Sequence, residues 1–188
     1  DMVRHMERLG APNPDVLGVP DTVLVRPTVM VVFDAVKDEI AVLTPVRPRA
    51  GLSARAAHAM AQERIEAVVA ALEGPLPASA RDSATDATAG PTVSNTTPEE
   101  FHAMVARAKE YIRAGDIFQV VLSQRFEADF DLPAFALYRA LRRVNPAPFL
   151  CYLDFGGYQV VCSSPEILVR VRDGKVTIRP IAGTRPRG

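Results

Sequence analysis

Glu166 is the residue of this chain whose setting best suits acid chemistry. It stands in the stretch SSPEIL, where it follows Pro165 at the start of a run of Ile, Leu and Val. A carboxyl group held against the apolar edge of a sheet can have a raised pKa, which is what a general acid needs. A carboxylate that is merely solvated at the start of a strand fits the same pattern equally well, so the residues by themselves leave both interpretations open.

The stretch AGTRPRG, residues 182–188, has the composition of an anion-binding turn. Gly183 frees backbone amides, Thr184 adds a hydroxyl, and two arginines add guanidinium groups that suit a carboxylate or a phosphate. Such turns are common, so the pattern has low specificity. Because the chain begins at Asp1 and stops just after this turn, we expect both ends to be cuts within a longer protein.

The two cysteines, Cys151 and Cys162, lie in FLCYLDFGGYQVVCSS, which predicts a hairpin turning at Gly156–Gly157. In that register the two cysteines face each other across the strands. Two cysteines are too few for a disulfide framework, and their spacing matches no zinc motif. A cross-strand disulfide is geometrically conceivable, but we favour two reduced thiols buried on the sheet.

The remaining composition excludes several classes of function. The three histidines, His5, His58 and His102, fall in predicted helices without a partner at metal-ligand spacing, so we expect no metal site among residues 1–188. The 22 basic and 22 acidic residues balance, which leaves no excess of positive charge for nucleic acid or an anionic membrane. No apolar run approaches the roughly 20 residues that cross a bilayer. We therefore expect neither a nucleic acid nor a membrane as partner.

The elements that position these residues follow from periodicity and turn chemistry. PTVMVVFDAVKDEIAVLTPVRP predicts a hairpin around Lys37–Asp38, and an alanine-rich apolar stripe predicts a helix over 52–73 that Gly74 ends. Residues 74–97 contain hardly a large apolar side chain between the Pro, Ser, Thr, Ala and Gly residues, so we expect an exposed, flexible loop.

A second group of elements follows this loop. Thr97, Pro98 and Glu100 form a predicted capping box that starts a helix ending at Gly115. We then expect a strand over 116–130, a helix over 133–144, the cysteine hairpin, and two strands, EILVRVRD and KVTIRP, joined at Asp173–Gly174. Tight turns between successive strands predict an α+β fold, with a mostly antiparallel sheet and helices packed on it.

Four stretches taken in order resemble the chorismate-utilising enzyme family, and within it the anthranilate synthase component I branch. They are YIRAGDIFQVVLSQRF, LYRALRRVNPAPFLCYLDF, SSPEILVRV and IRPIAGTRPRG. DMVRHMERL and PTVMVVFDAVKDE also resemble the middle of these proteins, so the resemblance covers essentially the whole chain. It implies that residues 1–188 are one central piece, truncated at both ends, of a larger α+β chorismate-binding unit.

The resemblance also implies roles for individual residues. Glu166 matches the glutamate of the family's SPE motif, the implied acid for departure of the C4 hydroxyl of chorismate. Gly183 and Thr184 match a Gly-Thr pair that contacts chorismate, and we place Gln119 with them as a chorismate-binding residue. The role of Gln119 rests on the comparison with relatives that carry a lysine there.

A regulatory segment carries over in the same way. Pro148, Phe149 and Leu150, in NPAPFL, match the segment that helps form a feedback site for tryptophan. The family often has Ser, Tyr and Met where this chain has Ala147, Phe149 and Leu150. We therefore expect an apolar pocket whose affinity for tryptophan differs from that of its relatives.

The implied reaction is the addition of ammonia to C2 of chorismate with loss of the C4 hydroxyl, followed by elimination of pyruvate to leave anthranilate. Ammonia would come from glutamine through a partner amidotransferase subunit, and Mg²⁺ would bind a substrate carboxylate. The metal ligands and a catalytic histidine are expected outside residues 1–188, so this chain alone is expected to be inactive. The resemblance implies tryptophan biosynthesis, in the cytoplasm.

Three alternatives remain. Isochorismate and salicylate synthases carry a lysine at the position of Gln119, where it can activate water; an amide cannot act as a base, which favours ammonia as nucleophile. Aminodeoxychorismate synthase usually carries a lysine at the position of Ala182 as a candidate nucleophile, so Ala182 weighs against it. The third alternative is a non-catalytic piece that binds tryptophan or a partner subunit.

Overall fold

The computed structural model describes residues 2–76 and 90–180, and the chain folds as two compact units, Asp1–Ala78 and Ser79–Gly188. The first unit contains a 3₁₀ turn at Met2–His5, strands β1 (Met30–Asp34) and β2 (Glu39–Leu43), and helix α1 (Ala54–Glu73). The second contains β3 (Val93–Ser94), α2 (Pro98–Ala114), β4 (Phe126–Glu127), α3 (Ala134–Val144), β5 (Phe149–Asp154), β6 (Gln159–Ser164), β7 (Arg170–Arg172) and β8 (Lys175–Thr177).

All strand pairs of the described residues are antiparallel, which confirms the predicted α+β class. The strands pair as β1–β2, β3–β4, β5–β6 and β7–β8, so they form four two-stranded sheets where the sequence predicted a single larger one. Each sheet joins strands that are close in sequence or linked across one helix. Local turn chemistry is therefore enough to explain three of the four pairings.

The first hairpin forms as the sequence predicts. Met30 pairs with Leu43 and Asp34 with Glu39, so the turn spans residues 35–38. The Asp34 carboxylate accepts hydrogen bonds from the backbone N–H groups of Val36 (3.0 Å) and Lys37 (3.1 Å). This is the Asx-turn geometry that makes aspartate favourable at the start of a turn.

Helix α1 confirms the predicted 52–73 helix to within two residues at its start. Ser53 caps it by accepting a hydrogen bond from the Ala56 N–H at 3.2 Å, and the chain leaves the helix at Gly74 in an extended conformation. The helix packs against β2, and Arg64 Nε donates to Thr44 Oγ1 at 3.0 Å. Ala61, on this helix, is the one buried apolar side chain of the described residues.

The predicted flexible loop over 74–97 is described only in part, because residues 77–89 lie outside the described residues. Within its last part, Val93–Ser94 forms β3, in which Ser94 pairs with Phe126. Helix α2 then begins with the predicted capping box. Thr97 Oγ1 accepts from Glu100 N–H at 3.2 Å, and the Glu100 carboxylate accepts from Thr97 N–H at 2.9 Å.

The strand predicted over 116–130 is wrong over most of its length. Only Phe126–Glu127 forms a strand, and residues 117–125 have no strand conformation. Phe118 and Val121 expose 93% and 84% of their surface. A strand exists only through ladder hydrogen bonds to a neighbour. A composition rich in β-branched residues is therefore not enough to form a strand here, because no strand of the described residues pairs with this segment.

The final hairpin is shorter than predicted but turns at the predicted residues. Strand β7 begins at Arg170, four residues after the expected start at Glu166. Asp173 and Gly174 both adopt positive φ, 51° and 71°. That conformation is the two-residue turn whose twist matches a hairpin.

Candidate active site

The β5–β6 hairpin and helix α3 form a platform that carries Phe149 and Leu150 and is bordered by Pro148 and Glu166. Six residue pairs join the strands, from Phe149–Ser164 to Asp154–Gln159. Helix α3 packs on both strands. An aromatic cluster joins it to β5, in which the Tyr152 ring centroid lies 5.2 Å from that of Phe135 and 6.1 Å from that of Tyr138. Edge-on and tilted ring pairs of this kind stabilise a packed face beyond the area they bury.

The predicted inhibitor segment lies at one end of this platform. Phe149 pairs with Ser164 and Leu150 with Ser163, while Pro148 is exposed immediately before β5. Ser163 Oγ donates to the carbonyl oxygen of Asn145, the C-cap residue of α3, at 2.8 Å. This bond ties the end of the hairpin to the end of the helix and so fixes the start of β5.

Glu166 lies two residues beyond Ser164, at the same end of the hairpin. Ser164 Oγ donates to the Glu166 carbonyl oxygen at 3.1 Å and accepts from the Glu166 N–H at 3.4 Å, so the backbone is held in a local turn. The residue is exposed and belongs to a loop. The expectation that Glu166 sits on an apolar strand edge is therefore wrong in local structure, because the ladder does not resume until Arg170.

Gln119 is exposed and lies on the segment 117–125, which lacks strand structure. The end of this segment is anchored. Asn95 Oδ1 accepts from Arg125 N–H at 2.9 Å, Asn95 N–H donates to the Arg125 carbonyl at 3.0 Å, and Gln124 Nε2 donates to Ser94 Oγ at 2.8 Å. These three bonds fix residues 124 and 125 five to six positions after Gln119.

We call this set of bonds between Ser94, Asn95, Gln124 and Arg125 the polar clamp. It was not predicted from the sequence. The clue was the Ser-Asn-Thr sequence just before the capping box, because these short polar side chains hydrogen-bond readily to nearby backbone. Their partners lie about 30 residues away in sequence, and local patterns do not reveal such a pairing.

The predicted cysteine register is confirmed. Cys151 pairs directly with Cys162, and both are free thiols that are half-buried, less deeply than expected. Burial raises the pKa of the Cys151 thiol, and the neighbouring Cys162 thiol raises it further. The predicted hairpin turn also forms, with φ of +82° at Gly156.

The first unit contains a cavity that none of the predicted site residues lines. It has a volume of ≈ 200 Å³ between α1 and the segments that flank the β1–β2 hairpin. Its lining is Pro27, Thr28, Pro45, Val46, Arg47, Leu52, Ala57, Met60 and Arg64. It gives no support to a site at Glu166 or Phe149.

Comparison with known proteins identifies the family. All of residues 1–188 match the family model described as chorismate binding enzyme. The chain belongs to the chorismate-binding enzyme family. It is 56% identical over its whole length to anthranilate synthase component 1 of Cereibacter sphaeroides and 43% identical to that of Thermus thermophilus, and it covers 37% and 38% of those proteins.

A solved structure supports the same relationship for this chorismate-binding chain. The crystal structure of anthranilate synthase component I from Streptococcus pneumoniae superposes with a TM-score of 0.79 at 34% identity. The match covers 94% of this chain and 39% of that chain. The chorismate-binding chain therefore spans well under half the length of these relatives.

Two predicted chorismate contacts, Gly183 and Thr184, lie outside the described residues, as does Ala182. Their contact with chorismate thus stays a prediction. Over 2–76 and 90–180, no three His, Cys, Asp or Glu side chains gather in a way that could hold a metal ion. The described part of the chorismate-binding chain by itself does not fit a Mg²⁺ site. No helix in that part is long and apolar enough to cross a membrane.

Proposed function

We propose that this chain forms part of an anthranilate synthase component I that converts chorismate and ammonia to anthranilate, pyruvate and water. The observation that carries the proposal is 56% identity, along all 188 residues, to a protein named anthranilate synthase component 1. Similarity at this level over the whole chain supports a shared reaction, and not only a shared fold.

In the proposed reaction Glu166 supplies the proton that lets the C4 hydroxyl of chorismate leave as water. Hydroxide is a poor leaving group, so a positioned carboxylic acid accelerates this step by roughly 10² to 10⁴. The structure supports the role through position: the Glu166 backbone is held by Ser164 at the end of a well-formed hairpin, and the residue is exposed.

Ammonia is the proposed nucleophile. It adds at C2 as the C4–O bond breaks and the ring double bonds shift. The C2 proton then leaves while the enolpyruvyl C–O bond breaks, which releases pyruvate and makes the ring aromatic. Gln119 supports this choice because its amide can donate and accept hydrogen bonds but cannot deprotonate water. A product analysis that finds isochorismate or aminodeoxychorismate instead would contradict this part of the proposal.

Tryptophan is the proposed feedback inhibitor, bound at the start of β5. Pro148 and Phe149 are exposed there while Leu150 is half-buried. An aromatic ring, a proline ring and a branched aliphatic chain together suit an indole ring. Glu166 follows the same end of the hairpin, two residues after β6 ends. A bound inhibitor can therefore influence the proposed acid through this short stretch of backbone.

Three further elements complete the proposal. A glutamine amidotransferase subunit supplies ammonia, Mg²⁺ assists substrate binding through ligands beyond the described residues, and the enzyme works in the cytoplasm. The similarity to biosynthetic anthranilate synthases supports these assignments. No step of the reaction is assigned to Mg²⁺, since the described residues do not gather ligands for it.

The test is Glu166→Gln in the full-length protein, assayed with chorismate and ammonium by anthranilate fluorescence. The amide keeps the shape of the side chain but cannot supply the proton, so we expect turnover to fall by roughly 10² to 10⁴. The control is Glu7→Gln, the same change at an exposed carboxylate of the other unit. Turnover of Glu166→Gln within threefold or so of the control would remove Glu166 as the acid.

A further inference from the structure

The open face of the β5–β6 hairpin carries a pair of thiols. Side chains alternate between the two faces of a strand. Tyr152 contacts helix α3, so Phe149, Cys151 and Leu153 lie on the other face. Cys162 is directly opposite Cys151 and shares that face. The pair is flanked by Leu153 and Val160, whose side chains are 45% and 38% exposed.

The separation of the two cysteines suits a covalent bridge. The Phe155 N–H donates to the Tyr158 carbonyl at 3.1 Å, which makes this pair a hydrogen-bonded one. Counting along the ladder from there, the cysteine pair is also hydrogen-bonded, with an expected Cα–Cα distance of about 5.5 Å. Disulfides span Cα separations of roughly 4.4–6.8 Å.

A second observation shows that the thiols themselves are close. The Cys162 thiol lies near enough to that of Cys151 to raise its pKa. Both residues are half-buried and neither is sealed inside a core. A small reagent can therefore reach the pair, and once one sulfur has reacted the other is already in place.

We propose that Cys151 and Cys162 form a thiol–disulfide exchange site that takes small-molecule disulfides of the glutathione class. One protein thiolate attacks the reagent's S–S bond, forming a mixed disulfide and releasing one small thiol. The second protein thiolate then attacks the cysteine sulfur of the mixed disulfide and releases the second small thiol. In balance, two protein thiols are oxidised to one disulfide while one small disulfide is reduced to two thiols, which take up the two protons.

A disulfide at this site would link β5 to β6 near the middle of their six residue pairs. A slip of one residue in register moves every side chain to the opposite face. A covalent bridge between opposed residues blocks such a slip. The bridge would therefore fix the pairing of the two strands, at one end of which Phe149 lies opposite Ser164. This inference does not depend on the proposed function.

The experiment equilibrates the 188-residue chain with reduced and oxidised glutathione, alkylates the free thiols and measures the products by mass. It is repeated in concentrated urea. Because folding places the thiols together, we expect the equilibrium constant for the internal disulfide to be at least about tenfold larger in buffer than in urea. A tenfold change corresponds to roughly 30 mV for a two-electron couple.

The matched control combines Val161→Cys with Cys162→Ser. It keeps two cysteines at almost the same sequence separation, so loop closure in the unfolded chain is nearly unchanged. In the hairpin, however, one thiol now lies on the face toward α3. We expect this variant to show the same constant in buffer and in urea, and to accumulate mixed disulfides with glutathione.

Two outcomes would overturn the proposal. Equal constants for the wild-type chain in buffer and in urea would mean that the fold does not bring the thiols together. A preference for the internal disulfide that the control variant shares would mean that chain proximity, and not the hairpin register, determines it. A trivalent arsenical, which bridges two adjacent thiols without oxidation, gives a second measurement: we expect tight binding to the wild-type chain and weak binding to the control.

Discussion

The hairpin β5–β6 and the segment 117–125 have similar compositions but different structures. Both contain Phe, Val and Leu in runs that favour strands. The hairpin forms six pairs and packs against α3, whereas 117–125 forms no strand and exposes Phe118 almost fully. The difference lies in the partner. In the hairpin, the turn brings β6 back to pair with β5. The segment is held only by the polar clamp at its C-terminal end.

This contrast shows which candidate residues are positioned by local structure. Phe149, Leu150 and Glu166 take their places from the hairpin and its Ser164 turn. Gln119 lies on the unpaired segment, so its direction depends on whatever packs against that segment. In a site formed from both regions, the contacts of residues 90–180 would therefore position the hairpin residues but not Gln119.

Amide hydrogen exchange tests the contrast directly. The interior amides of β5 and β6 are expected to exchange about 100-fold or more slowly than those of 117–123, because ladder bonds must open before exchange occurs. Exchange of the 188-residue chain is followed by mass spectrometry after proteolysis. Equal protection in the two regions would show that the segment finds a partner, or that the hairpin opens freely.

The start of β5 can be tested through inhibition. Phe149→Ala in the full-length enzyme is expected to raise the tryptophan inhibition constant about tenfold, because truncating an aromatic anchor removes a large contact area. The control is Leu153→Ala, on the same face and equally exposed but at the other end of the hairpin. An unchanged inhibition constant for Phe149→Ala, or an equal rise for Leu153→Ala, would remove the inhibitor site from this end.

Packing on α3 is tested by Tyr152→Ala. Its ring lies near both Phe135 and Tyr138, so we expect the free energy of unfolding to fall by about 2 kcal/mol, at the low end for an aromatic truncation because the site is only half-buried. Phe118→Ala is the comparison, since that ring is 93% exposed and its loss is expected to cost under about 0.5 kcal/mol. Similar costs in urea denaturation would contradict the contrast between the two regions.

The smallest expected effect concerns the capping box that precedes the unpaired segment. The Thr97 N–H donates a hydrogen bond to the Glu100 carboxylate, and this bond, helped by the nearby Thr97 side chain, holds the pKa of Glu100 below the ordinary value of 4.5. Because the pKa is lowered in the folded state, the ionised carboxylate stabilises α2 above this value. That contribution is lost as the pH falls through and below it.

Circular dichroism between neutral and acid pH measures this loss of helix. Glu100→Gln is expected to flatten that part of the pH profile, and Thr97→Ala to lower stability by about 1 kcal/mol at neutral pH. A pH profile of Glu100→Gln that matches the wild type would assign the titration to another carboxylate.

The sequence was a good guide wherever a structure closes on itself locally. Asp34, Thr97 and Gly156 mark a turn, a cap and a hairpin, and each does so through bonds to residues at most a few positions away. The facing of Cys151 and Cys162 followed from the same hairpin turn. By contrast, the polar clamp and the unpaired state of 117–125 depend on residues distant in sequence, so periodicity and propensity could not reveal them.

By itself, then, the sequence determined the helices, the hairpin turns, the cysteine register and, through its motifs, the chorismate-binding family. Only the tertiary structure decided that Glu166 lies in an exposed loop and that Asn95 holds Arg125 from about 30 residues away. The physical reason is the range of the interactions. Caps and tight turns are satisfied within a few residues, whereas a strand or a clamp exists only where a distant segment provides the matching donors and acceptors.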